Sequence, residues 1–436
     1  MIDYLVLLLI FLPGLRQISS VYYLLLGGLF LIRSFDPENL KIKLRPFTYI
    51  YLLYFQSIFQ LLFIIDSRFY TFLRLIVPIG LIFLLNKSIK NNLIFKRALF
   101  LSIVISSLSL YIQMLIGPIF PLDGTRGGLI RFSTTAGNSQ ILGTAISLFL
   151  PAIVYQINRS DINSIIPLFK IRKRIYPLVK LSLIGFLVLT CILSLSRSAL
   201  ITCLSFFVIY LLLNFIEFNS YNYQPKLILK KKYIKFILFS LILLVITLFV
   251  IKTFFSDLLS SPVFYPLLMM LTLIRVIPKD FYQSLFPGSW FDVNNINLFD
   301  DFMSTRVSFG IESLSQAYDS IIAIFLGTGP TAYGGIVGYD QINFNHNHYF
   351  DLIEGHGLIG VSLYILYFYS IFKRSKNWDS TSKKYLISTV LIFLIASLNC
   401  SGIMHHPLWI GPLLLATINP IKTSMVSKND FYTNKN

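Results

Sequence analysis

Residues 181–216 read LSLIGFLVLTCILSLSRSALITCLSFFVIYLLLNFI, with Arg197 the one charged side chain among them. As a single helix this run, bounded by Lys180 and Glu217, would be roughly 54 Å long, against a hydrocarbon core of about 30 Å. Two spans fit where one does not, and Arg197 supplies the break. The chain is therefore expected to cross a membrane repeatedly. Composition agrees: of 436 residues, 55% are hydrophobic and 13% charged, whereas soluble domains carry about 25% charged residues. A β-barrel would show alternating segments of roughly ten residues, and the apolar runs here are continuous.

Twelve segments follow the apolar pattern, near 4–14, 20–33, 46–65, 69–86, 98–117, 138–157, 181–196, 198–216, 236–255, 358–372, 385–400 and 407–421. The expected fold class is an all-α polytopic membrane protein of about twelve transmembrane helices, a single membrane domain over 1–436. Residues 4–12 have the length of a signal-peptide core. Asp3 stands where a basic flank would be, and more spans follow, so they are read as the first span. Cys191, Cys203 and Cys400 lie in or beside apolar runs and offer neither a disulfide framework nor metal-ligand spacing.

Lysine and arginine placement orients the chain. One set of alternate loops, near 33–45, 87–97, 159–180, 226–235, 373–384 and 422–435, holds 27 of the 37 basic residues. These loops are expected to be cytoplasmic, with both termini inside. The net charge of +18 is then topogenic, and no nucleic-acid partner is expected. The basic runs 170–174 and 230–232 suit contact with anionic lipid. The other face receives 123–131, the turn at Arg197, a large extracytoplasmic loop over 256–357, and a short loop carrying His405 and His406. Within the large loop, 262–277 is apolar, bracketed by prolines and carries Arg275, which suits an interfacial or re-entrant helix. The tail 424–436 is expected to be disordered.

Candidate chemistry gathers on that outer face. Three of the five histidines and two carboxylates fall in the window 346–356, directly before the apolar run 358–372. Titratable groups at the mouth of a span face water, a cavity or a substrate, because lipid disfavours them. His346 is the candidate base, since imidazole titrates near neutral pH; the competing role is a hydrogen-bonded histidine at a helix start. His348, Asp351 and Glu354, spaced by three, would share one helical face. With His346 they could hold a divalent metal, but arginines already offer phosphate neutralisation and no metal is assigned. Glu354 and His356 orient the imidazole or cap the following span.

On this side the available activated donors are lipid-linked, with a glycan held through pyrophosphate to a polyprenol. Such a donor needs fixed positive charge and a base for the acceptor hydroxyl. Arg126, Arg131, Arg197 and Arg306 supply the charge, and guanidinium grips phosphate bidentately. Arg197 either snorkels to lipid phosphate or contacts the donor. Arg131 precedes the polar lead-in 132–138 to the sixth span, which helix capping also explains. Arg126, among glycines, reads as a mobile loop residue. Arg306 pairs with Asp300 or Asp301, or binds donor. The glycines at 327, 329, 334 and 335 lack the strand-to-helix setting of a phosphate loop.

These residues resemble the O-antigen ligase and O-antigen polymerase superfamily of bacterial membrane glycosyltransferases. The ligase motif is His, then Asn, Ser or Gln, nine arbitrary residues, Gly, two more, then Gly, Thr or Tyr; His346, Asn347, Gly357 and Gly360 fit it without a gap. Weaker matches follow in the family's order at 131–143, at 195–200, and at Arg306 with 326–330. The resemblance covers roughly 125–372. It implies a GT-C-like glycosyltransferase with a metal-independent, inverting transfer from an undecaprenyl-pyrophosphate donor and no cofactor. It implies His346 as catalytic base and Arg131, Arg197 and, less directly, Arg306 at the pyrophosphate. Asn347, His348, Asp351 and Glu354 take supporting roles.

A polymerase would use the terminal sugar of another lipid-linked repeat unit as acceptor, with a chain-length regulator protein as a further partner; a ligase would use lipid A-core. Outside the motifs the chain is idiosyncratic, as suits an enzyme fitted to one repeat unit, and polymerase is the expected activity. A transporter or flippase of lipid-linked glycan is the rival class. No internal repeat is visible, and the polar groups gather at one face, which favours surface chemistry over alternating access.

Overall fold

The computed structural model describes residues 2–17, 28–30, 32, 47–63, 77–82, 84–85, 89–120, 122–126, 129–165, 171–194, 196–218, 225–227, 321–327, 347–400, 404 and 406–418. These residues are mostly helical. In chain order they form α1 (Ile2–Ile10), α2 (Thr48–Phe63), α3 (Ile89–Ile116), strands β1 (Leu122–Arg126) and β2 (Leu129–Phe132), α4 (Ser139–Tyr155), α5 (Arg159–Ile165), α6 (Tyr176–Leu193) and α7 (Arg197–Asn214). Strands β3 (Ile216–Phe218) and β4 (Pro225–Leu227) follow, then α8 (Ile321–Leu326), α9 (His348–Arg374), α10 (Ser380–Ser397) and α11 (Pro407–Ala416). Among the described residues, three helical stretches are long and apolar enough to cross a membrane: Asn92–Ile116, Tyr176–Leu193 and His348–Asn377.

The run 181–216 divides where expected. Helix α6 ends at Leu193 and α7 begins at Arg197. Ser196 caps α7, its side chain accepting from the Ala199 N–H at 3.4 Å, so a serine satisfies an orphan donor beside the charged residue.

Helix α4 is the hub. Every residue from 142 to 153 is buried, because α3, α6, α7, α10 and α11 all pack around it, and a helix apolar on all sides belongs in such a position. Gly143 permits the closest approach. A Cβ there would lie 2.5 Å from both Ala199 Cβ and Ser194 Oγ, so any side chain would push α4 off the α6–α7 turn. Ser147 adds a bond across the same contact, donating to Ala199 O at 3.1 Å.

The loops sort to two ends of the bundle. At one end Lys96 Nζ donates to Asp161 Oδ2 at 2.7 Å, joining the starts of α3 and α5. Lys180 Nζ donates to Val154 O at 2.8 Å, and the Phe218 N–H to Ser380 Oγ at 3.2 Å. Basic loops far apart in the chain thus meet. At the other end the Gly14 N–H donates to Thr135 O at 2.8 Å, Gln140 Nε2 to Asn399 O at 3.3 Å, and Trp409 Nε1 to Ile141 O at 3.1 Å.

Two departures from an all-α chain appear, both in connections. β1 and β2 pair antiparallel, with Arg126 opposite Leu129, so Arg126 ends a strand rather than lying in an irregular loop. β3 and β4 pair likewise, with Glu217 opposite Lys226. Segments of three to five residues are too short for periodicity to reveal. The region 262–277, most of the loop 256–357 and the tail 424–436 lie outside the described residues.

Candidate functional site

Helix α9 starts at Asn347, whose side chain caps it by accepting from the Tyr349 N–H at 2.9 Å. His348, Asp351 and Glu354 sit on its first arm as their spacing predicts, the first two buried and Glu354 half-buried. The helix is not straight. Gly357 has φ 60 and ψ −162, breaking it into arms 348–356 and 358–374. In one continuous helix His348 and Tyr364 would be roughly 24 Å apart, yet their ring centroids are separated by 5.6 Å. The first arm therefore folds back against the second.

The motif's glycines are explained by this bend. A Cβ on Gly357 would come within 2.6 Å of backbone atoms of Gly327, Ile324 and Phe325, and one on Gly360 within 2.1 Å of His356 Cβ. The positive φ at Gly357 is itself a conformation that L side chains resist.

His348 packs edge-on against Tyr364. Both its ring nitrogens are buried and have no hydrogen-bond partner among the described residues. Among the described residues no group of three or more His, Cys, Asp or Glu side chains is arranged to hold a metal ion.

Helix α2 supplies the residues that sequence reading missed. Gln56 and Gln60 donate to carbonyls at the bend, His356 O at 2.8 Å and Gly355 O at 2.9 Å, and Ser57 Oγ lies 3.5 Å from His356 Nδ1. Two glutamines four residues apart in an apolar span put amides on one helix face, and that was the available signal.

Arg131 lies on β2, whose exit is firmly held. Gln113 Nε2 donates to Ser133 O at 2.7 Å, while its Oε1 accepts from the Phe120 N–H at 3.0 Å. Thr134 and Gly137 close a tight turn, and Asn138, not an arginine, caps α4 by accepting from the Ile141 N–H at 2.9 Å. Arg197 is the first residue of α7. His346 and Arg306 lie outside the described residues, as does His405; His406 immediately precedes α11, its ring 5.0 Å from that of Trp409.

One chain of contacts links these positions. Tyr349 Oη donates to Leu394 O near the end of α10 at 2.9 Å. The residues after α10 meet the start of α4 through Gln140. The start of α4 in turn packs on the α6–α7 turn through Gly143. The backbones of Arg131, Arg197 and Asn347 are thus gathered at one end of the bundle. No family model, curated protein or solved structure matches this chain.

Chemically, the arrangement sets capped starts of α4 and α7 near two arginine positions. Helix starts carry partial positive charge and favour anions. The folded-back arm of α9 brings the residue that follows His346 to the same end.

Proposed function

We propose that this chain is a membrane glycosyltransferase of the O-antigen polymerase and ligase type, with about twelve spans, acting at the periplasmic face of the bacterial inner membrane. The observation that carries this is the separate structural task of each motif position after His346. Asn347 caps the first arm, Gly357 turns it, and Gly360 makes room for His356. A spacing that would be arbitrary in a straight helix is required by a folded one.

In the proposed reaction His346 takes the proton from the acceptor hydroxyl. The oxygen forms a bond to the anomeric carbon from the side opposite the leaving group, inverting it. The bond from that carbon to the phosphate oxygen breaks, and undecaprenyl pyrophosphate leaves with the electron pair. Arg131, Arg197 and Arg306 hold the charge of the pyrophosphate, so no divalent cation or cofactor is assigned. The acceptor favoured is the terminal sugar of a lipid-linked repeat unit, which makes the enzyme a polymerase; a ligase would take lipid A-core.

His346→Ala and Arg197→Ala are each expected to abolish glycan lengthening or attachment while leaving membrane insertion intact. Normal banding of surface polysaccharide in both would remove the assignment. Deletion separates the two acceptors: loss of a polymerase leaves single repeat units on the core, whereas loss of a ligase leaves bare core and accumulated lipid-linked polymer.

The broken α9 favours one rival, a transporter of lipid-linked glycan, because transporters bind substrate at discontinuous helices near the bilayer midplane. Here the second arm alone is about 25 Å long, nearly a full crossing. That length sets the break near the rim and favours surface chemistry.

A further inference from the structure

The bend at Gly357 interrupts the helical ladder and leaves carbonyls at the end of the first arm without intrahelical donors. In a membrane protein such groups have little water to turn to. Gln56 Nε2 donates to His356 O at 2.8 Å and to Leu326 O at 3.0 Å. Gln60 Nε2 donates to Gly355 O at 2.9 Å and to the same Leu326 O. Each carboxamide thereby uses both of its N–H donors, and Leu326 O uses both of its lone pairs. Turning either carboxamide over would set its oxygen against carbonyl oxygens, so the network itself fixes the orientation.

Leu326 is the last residue of α8. Gly327, at φ 77, sits so close behind the bend that a Cβ there would lie 2.3 Å from the Gly355 carbonyl carbon. Two ends of irregular backbone are therefore stacked on each other and held from one side by two amides. No carboxylate, hydroxyl or apolar side chain can replace them, since the site requires two donors on one nitrogen at that reach.

We propose that Gln56 and Gln60 are positioning residues. They clamp the end of α8 to the apex of α9 and so set the direction of arm 348–356, which presents the residue following His346 to the site. What the arm presents rests on the glycosyltransferase reading; the clamp does not.

The test uses the full-length protein in nanodiscs, with Gln56→Met and Gln60→Met as single variants of matched length that lack the N–H donors. Gln60→Asn, which keeps the amide but retracts it, replaces any variant that fails to insert. Hydrogen exchange over 347–357 is expected to accelerate by about tenfold, the loss of one or two hydrogen bonds. The kcat on lipid-linked repeat unit isolated from a deletion strain is expected to fall by about tenfold or more, with KM for that donor within about twofold, because orientation and not binding is lost. Unchanged exchange over 347–357 would overturn the clamp. Faster exchange with unchanged kcat, in an enzyme that His346→Ala inactivates, would overturn the positioning role. Wild-type activity in His346→Ala would defeat His346 as the base, and no turnover by the wild-type protein would defeat the enzyme reading itself; exchange alone would then decide the clamp.

Discussion

Gly357 concentrates more of this protein's geometry than any other single residue described. An alanine at φ 60 costs about 1–2 kcal/mol from backbone strain alone. Its Cβ would also meet three backbone atoms at 2.6 Å, which cannot rotate aside as a side chain would. Gly357→Ala is expected to destabilise the protein by more than about 2 kcal/mol and to abolish the proposed transfer activity, as read from thermal unfolding in detergent and from surface polysaccharide. Gly185 makes the control. A Cβ there meets nothing within 4 Å, and alanine is the better helix former by about 1 kcal/mol, so Gly185→Ala should unfold at or above the wild-type temperature. Equal unfolding temperatures for Gly357→Ala and wild type would mean that α9 does not bend there.

Among elements, the short helix α5 ties two basic connections together. Its start is a reciprocal cap: the Asp161 N–H donates to Asn158 Oδ1 at 3.0 Å, and the Asn158 N–H to Asp161 Oδ2 at 3.1 Å. The same carboxylate is buried and paired with Lys96 at 2.7 Å, with Arg97 Nε 3.6 Å from its other oxygen. Removing one partner of a buried pair leaves an uncompensated charge, worth about 3–5 kcal/mol. Asp161→Asn should therefore destabilise strongly, although the asparagine can still accept from Asn158. Adding Lys96→Met should recover part of the loss, with a coupling of at least about 1 kcal/mol in denaturant unfolding. Additive effects would show the pair to be incidental.

For the whole molecule, the sorting of loops to two ends makes sidedness measurable. Cys191, Cys203 and Cys400 are buried, so a single introduced cysteine reports against a quiet background. In whole cells with a permeabilised outer membrane, an impermeant maleimide is expected to label His346→Cys. Lys376→Cys, exposed after α9, should label only after the inner membrane is opened. The reverse pattern would place the proposed base in the cytoplasm, where a periplasmic glycan donor is absent.

Much of this was legible in one dimension. Apolar runs placed helices on the segments near 4–14, 46–65, 98–117, 138–157, 181–196, 198–216, 358–372, 385–400 and 407–421. Arg197 marked the break between α6 and α7, and the described parts of the basic connections near 89–97, 159–180 and 373–384 lie at one end. Those features depend on hydropathy and charge, which each residue carries by itself. The hairpin under Arg131 was not legible, because its strands are too short to show a period. Nor was the clamp: Gln56 and Gln60 bond to carbonyls 266 to 300 residues away, and a backbone oxygen has no sequence identity to recognise. The fold-back of α9 likewise required the tertiary structure. A glycine permits a positive φ without demanding it, and only the stacking of Gly327 on the bend, with the amides that hold it, selects that conformation.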